Sequence, residues 1–185
     1  MQGFGENKSK NSNRFNPNRD KDLFFKNQLA LAKNYLSSGD ILKAKNIYSD
    51  LISQGKEYYD LFFSYALLCR NCLEFKTAKE LLIRSISIYP TKINHYILLA
   101  EILRLEKDYS KAQKLLLTAC KINPRNSNSI YNLALLYRDL NNIEEALSTI
   151  DNAIKLMPTN YVYMLLKADL LKDKNNFKES ELLLK

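Results

Sequence analysis

Glycine and proline are scarce in this sequence, four of each among 185 residues, and tryptophan is absent. Gly and Pro are the residues that cost a helix most, so their scarcity beside abundant Leu, Lys, Glu and Ala points to an all-α chain. Histidine occurs once, as His95, and no second candidate motif accompanies it, so hydrolytic or general-base catalysis has little to stand on and no enzyme is expected. His95 itself is expected on a helix surface. Cysteine is an odd three, Cys69, Cys72 and Cys120, without a disulfide framework. CRNC at 69–72 is formally a C-x-x-C, but a four-ligand metal site needs partners that this chain does not supply. Cys69 and Cys120 read instead as small hydrophobes on core-facing helical positions. Neither metal nor cofactor is expected. No apolar run approaches the roughly 18 to 20 residues that span a bilayer, and the polar start MQGFGENKSKNSNR lacks the apolar core of a secretory signal. The expectation is a cytoplasmic chain that does not engage membranes.

Positive charge is in excess, with a formal net charge of +8. A basic balance invites a nucleic-acid reading. The distribution argues against it: residues 1–24 hold five Lys/Arg against three Asp/Glu, and the remaining excess is scattered with acids between. Many aromatics, Phe62, Tyr96, Phe75 and Tyr109 among them, fall at core offsets rather than alternating with basic residues on one surface, so nucleic acid is not an expected partner.

The dominant feature is an internal period. Alanines 32, 66, 100, 134 and 168 stand 34 residues apart, and so do Ala44, Ala78, Ala112, Ala146 and Ser180. Five segments align without insertion: 25–58, 59–92, 93–126, 127–160 and a partial 161–185. Within each, places four, seven, eight and eleven form the i, i+3, i+4, i+7 stripe of a buried helix face, as in Ile130, Leu133, Ala134 and Tyr137. Ile143, Ala146, Ile150, Ala153 and Ile154 repeat the pattern in a second helix. Gly39, Asn141 and Asn175 stand at the fifteenth place, where a left-handed helix ending suits Gly or Asn; Leu73 and Lys107 suit it less well. Pro90, Pro124 and Pro158 halt the second helices. Residues 1–24 lack the period and read as a flexible basic Asn/Lys-rich arm.

With this spacing the chain resembles the tetratricopeptide repeat family. The resemblance covers residues 25–185 and implies a solenoid of stacked antiparallel helix pairs, four full repeats plus one partial. Departures are Lys56 in place of the first terminal proline, Lys167 at a core leucine place, and the missing tryptophan. The MQGFGE start is also similar to bacterial repeat proteins whose array precedes a glycosyltransferase or sulfotransferase domain. The last segment stops at its twenty-fifth residue, Lys185, without a polar capping helix. The expectation is a fragment of a longer protein, or an end available for self-association.

The resemblance implies that first helices line a concave groove. Places five, nine and twelve share one narrow stripe on an ideal helix. Place five holds Leu29, Phe63, Ile97, Tyr131 and Leu165; place nine includes Leu67 and Leu135; place twelve holds Leu36, Arg70, Arg104, Arg138 and Lys172. An apolar column beside a cationic one suits an extended or helical peptide with apolar and acidic side chains. The alternative for the cations is that they favour the helix dipole and extend into water. A family carboxylate clamp is absent, because place five is apolar, and only Asn132 matches the asparagine ladder of the O-glycosyltransferases. The expected function is a protein-protein interaction scaffold, with a substrate-recruiting region of a larger transferase as the alternative.

Overall fold

The computed structural model describes residues 17–55, 58–174 and 176–183, with side chains from residue 22 onward. These residues form helices and turns, and no strand is present among them. They divide into two compact units at residues 56 and 57.

The first unit is a helical hairpin of α1 (Pro17–Ser37) and α2 (Ile41–Ser53). Ala32 and Ala44 are fully enclosed where the helices pack, with Phe25, Leu29, Tyr48 and Leu51 buried beside them. Helix α1 begins at Pro17, eight residues before the expected start of the repeat at 25, so the segment read as an arm contributes two further helical turns. Proline suits a first helical position because its φ is preset and it has no N–H to leave unpaired. No glycine or further proline interrupts the run that follows, and a helix once nucleated propagates at little cost. Residues 1–16 of the expected arm lie outside the described residues, as do Lys56 and Asn175.

The second unit keeps the 34-residue register without slippage. Its first helices are α3 (Tyr59–Asn71), α5 (Ile93–Leu105), α7 (Ser127–Asp139) and α9 (Tyr161–Asp173), each 13 residues long. Its second helices are α4 (Phe75–Ile88), α6 (Tyr109–Ile122) and α8 (Ile143–Leu156), each 14 residues, followed by α10 (Phe177–Leu183). Each first helix packs on its own second helix, and each of α4, α6 and α8 packs on the next first helix. Successive first helices also touch, α3 with α5, α5 with α7 and α7 with α9, whereas second helices do not meet to that extent. The first helices therefore line one face of the unit side by side, called the inner face below.

Every small place is filled as close packing requires: Ala66, Ala78, Ala112, Ala134, Ala146 and Ala168 have no exposed surface, and Ala100 and Ser180 have 1%. Ser180 is polar where the others are alanine, and its hydroxyl donates to the Ala168 carbonyl at 2.9 Å, so the buried oxygen is satisfied.

The fifteenth places are left-handed, with φ of 81° at Gly39, 61° at Leu73, 63° at Lys107 and 59° at Asn141. In each turn the N–H of the following residue reaches back to close the helix, as Glu74 does to the Cys69 carbonyl and Asp108 to the Leu103 carbonyl, both at 2.8 Å. This is the Schellman arrangement. Leu73 and Lys107 therefore adopt the turn despite their side chains. Helix starts are capped locally: the Asp108 carboxylate accepts from the Lys111 N–H, and the Asn126 and Asn160 side chains accept from Ser129 and Val162.

Candidate functional site

The expected apolar column at place five is packing rather than an open patch. Ile97 is 3% exposed and Leu29 8%. Phe63 meets His95 edge-on with ring centroids 5.3 Å apart, and Tyr131 stacks on Tyr163 at 5.0 Å. At Phe63 and Tyr131, in the second unit, place five of one repeat thus faces place three of the next, and its aromatic ring serves the joint between stacked first helices. Leu165 is half-buried. The same joint overturns the surface assignment of His95, which is 2% exposed. Its Nε2 lies 3.2 Å from the Tyr59 carbonyl and its Nδ1 3.3 Å from the Lys92 carbonyl. Burial pushes its pKa below the ordinary value, opposed in part by those carbonyls.

The cationic column is present on the inner face, but its members differ in what they hold. Arg70 donates from Nη2 to Glu101 of the next repeat at 2.6 Å, and from Nη1 to Asn71. Arg104 likewise donates to Asp139 of the repeat after it. Both pairs are only about one-fifth to one-third exposed, and the Nε atoms of both arginines are enclosed without a partner. These two arginines clasp adjacent repeats. Among the described residues Arg138 comes no nearer a carboxylate than 4.0 Å, to Asp139, and Lys172 sits 3.6 Å from Asp169 on its own helix with half its side chain exposed. Arg138 and Lys172 are thus held less closely by carboxylates than Arg70 and Arg104.

Between α3, α5 and α7 the inner face opens a depression of about 620 Å³. It brings together Arg70, Arg104, Tyr131 and Leu135 from the expected groove. It adds residues that the place-by-place reading missed: Asn71, Leu73, Glu101, Leu105 and Asn132. Leu67, at place nine, is 36% exposed, and Leu73 and Leu105 reach 74% and 54%, so the exposed apolar surface comes from the turn side of the helices. Burial raises the Tyr131 phenol pKa, while the nearby Arg138 and Arg104 charges pull it back. Asn132 is 4% exposed and donates its amide to the Asn128 carbonyl at 2.9 Å. The acids were legible in principle: Glu101 is 31 residues beyond Arg70 and Asp139 is 35 beyond Arg104, one repeat on with a shift of a helical turn or less.

Cys69 is buried, and Cys120 is half-buried with its thiol pKa raised by that burial; Cys72 is half-buried at the end of α3. Among the described residues no group of three His, Cys, Asp or Glu side chains could hold a metal ion, and no helix is long and apolar enough to cross a membrane.

Comparison with known proteins agrees with this architecture. The family model for the anaphase-promoting complex, cyclosome, subunit 3, matches residues 71–153, from the end of α3 into α8. No curated protein matches the sequence. Among solved structures, PilF of Pseudomonas aeruginosa superposes with a TM-score of 0.77 at 19% identity, over 89% of this chain and 75% of its own. MamA (residues 41 to the end) from Desulfovibrio magneticus gives 0.72 at 16% identity, covering 86% of this chain and 90% of that one. TTC0263, a thermophilic tetratricopeptide repeat protein of Thermus thermophilus, gives 0.73 at 17% identity, covering 86% and 87%. Identities this low speak to fold, and the fold of this chain is that of a tetratricopeptide repeat solenoid.

Proposed function

We propose that this chain is a non-enzymatic protein-interaction scaffold that holds an extended or helical peptide against the inner, first-helix face of residues 58–174. The observation that carries the reading is the depression between α3, α5 and α7, where exposed Leu73 and Leu105 adjoin Arg70 and Arg104, the first two members of a cationic column whose later places are Arg138 on α7 and Lys172 on α9. Leu67, Leu105 and half-buried Leu135 supply apolar contact, and Arg138 and Lys172 supply charge that internal carboxylates approach only at 4.0 and 3.6 Å. Arg70 and Arg104 line the same surface but act first as clasps. Reversing their charge would disturb the joints between repeats as well as any ligand.

The test therefore uses the other two cations. Labelled synthetic peptides that pair Leu or Phe with Asp or Glu are titrated by fluorescence anisotropy into the wild-type chain and into Arg138→Glu/Lys172→Glu. The variant should lose about tenfold or more in affinity for the peptides that bind, because charge pairs at a recognition surface govern both encounter and dissociation. Its thermal melt should stay near that of the wild type. Peptides that bind both chains equally, or a set in which none binds, would reject the inner face as the site.

A further inference from the structure

A second depression, of about 610 Å³, lies between α4 and α6 with α5 as its floor. Leu99 and Leu103 form the floor, about half a helical turn around α5 from Glu101, Arg104 and Leu105 of the inner face. The furrow is therefore on the outer side of the repeats. Ile83, 59% exposed, and Leu115 extend the apolar surface up the two walls.

Its rim is cationic on both sides. Lys76 and Lys79 stand on the α4 wall and Lys111 and Lys114 on the α6 wall, against Glu80 as the one acid in the lining. Lys79 is held by both oxygens of Glu106, at 2.8 and 2.6 Å, and Lys111 by Asp108 at 2.6 Å. Among the described residues no carboxylate lies within ion-pair distance of Lys76 or Lys114, and both are exposed. The rim is not a product of the repeat. One period further on, Lys76, Lys79, Lys111 and Lys114 are replaced by Ser110, Gln113, Glu145 and Ser148, and Leu115 by Thr149. The furrow between α6 and α8 therefore keeps a single lysine at these places, Lys114 where Glu80 stood, and lacks both the paired lysine walls and the second-wall leucine.

We propose that the α4–α6 furrow is a docking site for an acidic amphipathic helix of another protein, seated with an apolar ridge on Ile83, Leu99, Leu103 and Leu115 and with carboxylates on both flanks. Two cationic walls on either side of an apolar floor require that pattern, and a helix is the element that presents it along one edge. A flat bilayer cannot reach Leu99 and Leu103, which are 5% and 8% exposed at the bottom of the furrow. Nucleic acid would find no aromatic ring in the lining on which to stack. A second copy is disfavoured by the chain's own formal charge of +8. This site is independent of the inner-face reading.

The probe is a capped peptide of about 14 residues, the length of the helices it lies between, with leucines at i, i+3, i+4 and i+7 and glutamates on both flanks. Its control has the same composition with the leucines dispersed. Anisotropy with the full chain should show binding of the first peptide and at least roughly tenfold weaker binding of the control. Lys76→Glu/Lys114→Glu and, separately, Ile83→Asp should each lose a similar factor while Arg138→Glu/Lys172→Glu keeps wild-type affinity. These positions are exposed, and circular dichroism checks that each variant is folded. Equal binding of the control, unchanged affinity in the furrow variants, or an equal loss in Arg138→Glu/Lys172→Glu would overturn the proposal. So would vesicles of phosphatidylcholine and phosphatidylserine that lose binding in Lys76→Glu/Lys114→Glu when the peptide does not. Sedimentation showing self-association that the same variant abolishes would assign the furrow to a second copy and likewise overturn it.

Discussion

Replacing Leu73 and Lys107 by glycine should stabilise the repeats, although each change removes a side chain. Both residues hold φ near 60° in the turn after a first helix, at 61° and 63°. A side chain with a Cβ costs about 1–2 kcal/mol in that region, because the Cβ crowds the following carbonyl. Glycine relieves this but gives back roughly 0.5–1 kcal/mol through the greater freedom of its unfolded state. Leu73 is 74% exposed and Lys107 is exposed too, so little burial is lost at either site. The net gain is about 0.5–1 kcal/mol per site. The two turns are 34 residues apart, in successive repeats, and both side chains are exposed, so their effects should add to about 1–2 kcal/mol. The midpoint of thermal unfolding followed by circular dichroism should rise by roughly 2–8 °C for the pair, with a matching shift of the urea midpoint and an unchanged slope. Gly39→Ala is the converse control. A Cβ built at Gly39 meets nothing within 4 Å, so any loss there is torsional, and about 1 kcal/mol is expected. A neutral or destabilised Leu73→Gly/Lys107→Gly, or a neutral Gly39→Ala, would refute the assignment of strain to these turns.

His95 should make stability depend on pH. Its folded pKa lies below the ordinary 6.5, chiefly because burial disfavours the charged ring. Between 6.5 and the lower folded value the unfolded chain holds a proton that the folded chain does not, so stability falls as pH drops through that window and levels off beneath it. Urea midpoints from about pH 8 down to about pH 5 should show this step in the wild type and a smaller one in His95→Gln; equal profiles would remove His95 as the cause. The clasp of Arg104 on Asp139 should show as coupling in a double-mutant cycle of Arg104→Gln with Asp139→Asn, of about 1–3 kcal/mol for a partly buried charged hydrogen bond. The same cycle on Lys172 and Asp169, whose side chains are 49% and 56% exposed, should give about 0–0.5 kcal/mol. Equal coupling in the two cycles would sink the distinction between clasp and free cation.

The architecture was legible because it depends on residues that recur. Ten small residues at two places of the period predict two helices per repeat, and the structure encloses all ten. The helix of residues 17 to 24 was not legible, since before Phe25 no repeated partner marks a face. His95 was misplaced for a related reason. Place three is polar in three of the five segments, at Asn27, His95 and Ser129, so the sequence does not reveal that at His95 and Tyr163 it meets place five of the preceding repeat. Leu73 and Lys107 were legible as turn residues by position and illegible by propensity. Tertiary packing of four flanking helices outweighs a torsional cost of about 1–2 kcal/mol.

The candidate sites pose a different problem, because a period finds what all repeats share and a ligand needs what one repeat has alone. The cationic column at place twelve was visible as a repeated feature, yet repetition is also what an internal joint produces. Arg70 and Arg104 turn out to bind acids one repeat on, at offsets of 31 and 35. Arg138 differs in that the carboxylate nearest it among the described residues is that of its chain neighbour Asp139, 4.0 Å away, which Arg104 already holds through its other oxygen. The outer furrow follows the same logic from the other direction. Lys76, Lys79, Lys111 and Leu115 carry no core role that the next repeat reproduces, for Ser110, Gln113, Glu145 and Thr149 stand in an equally regular helix pair. In an array whose scaffold is set by recurrence, subtracting the period leaves the residues on which selection of a partner can act.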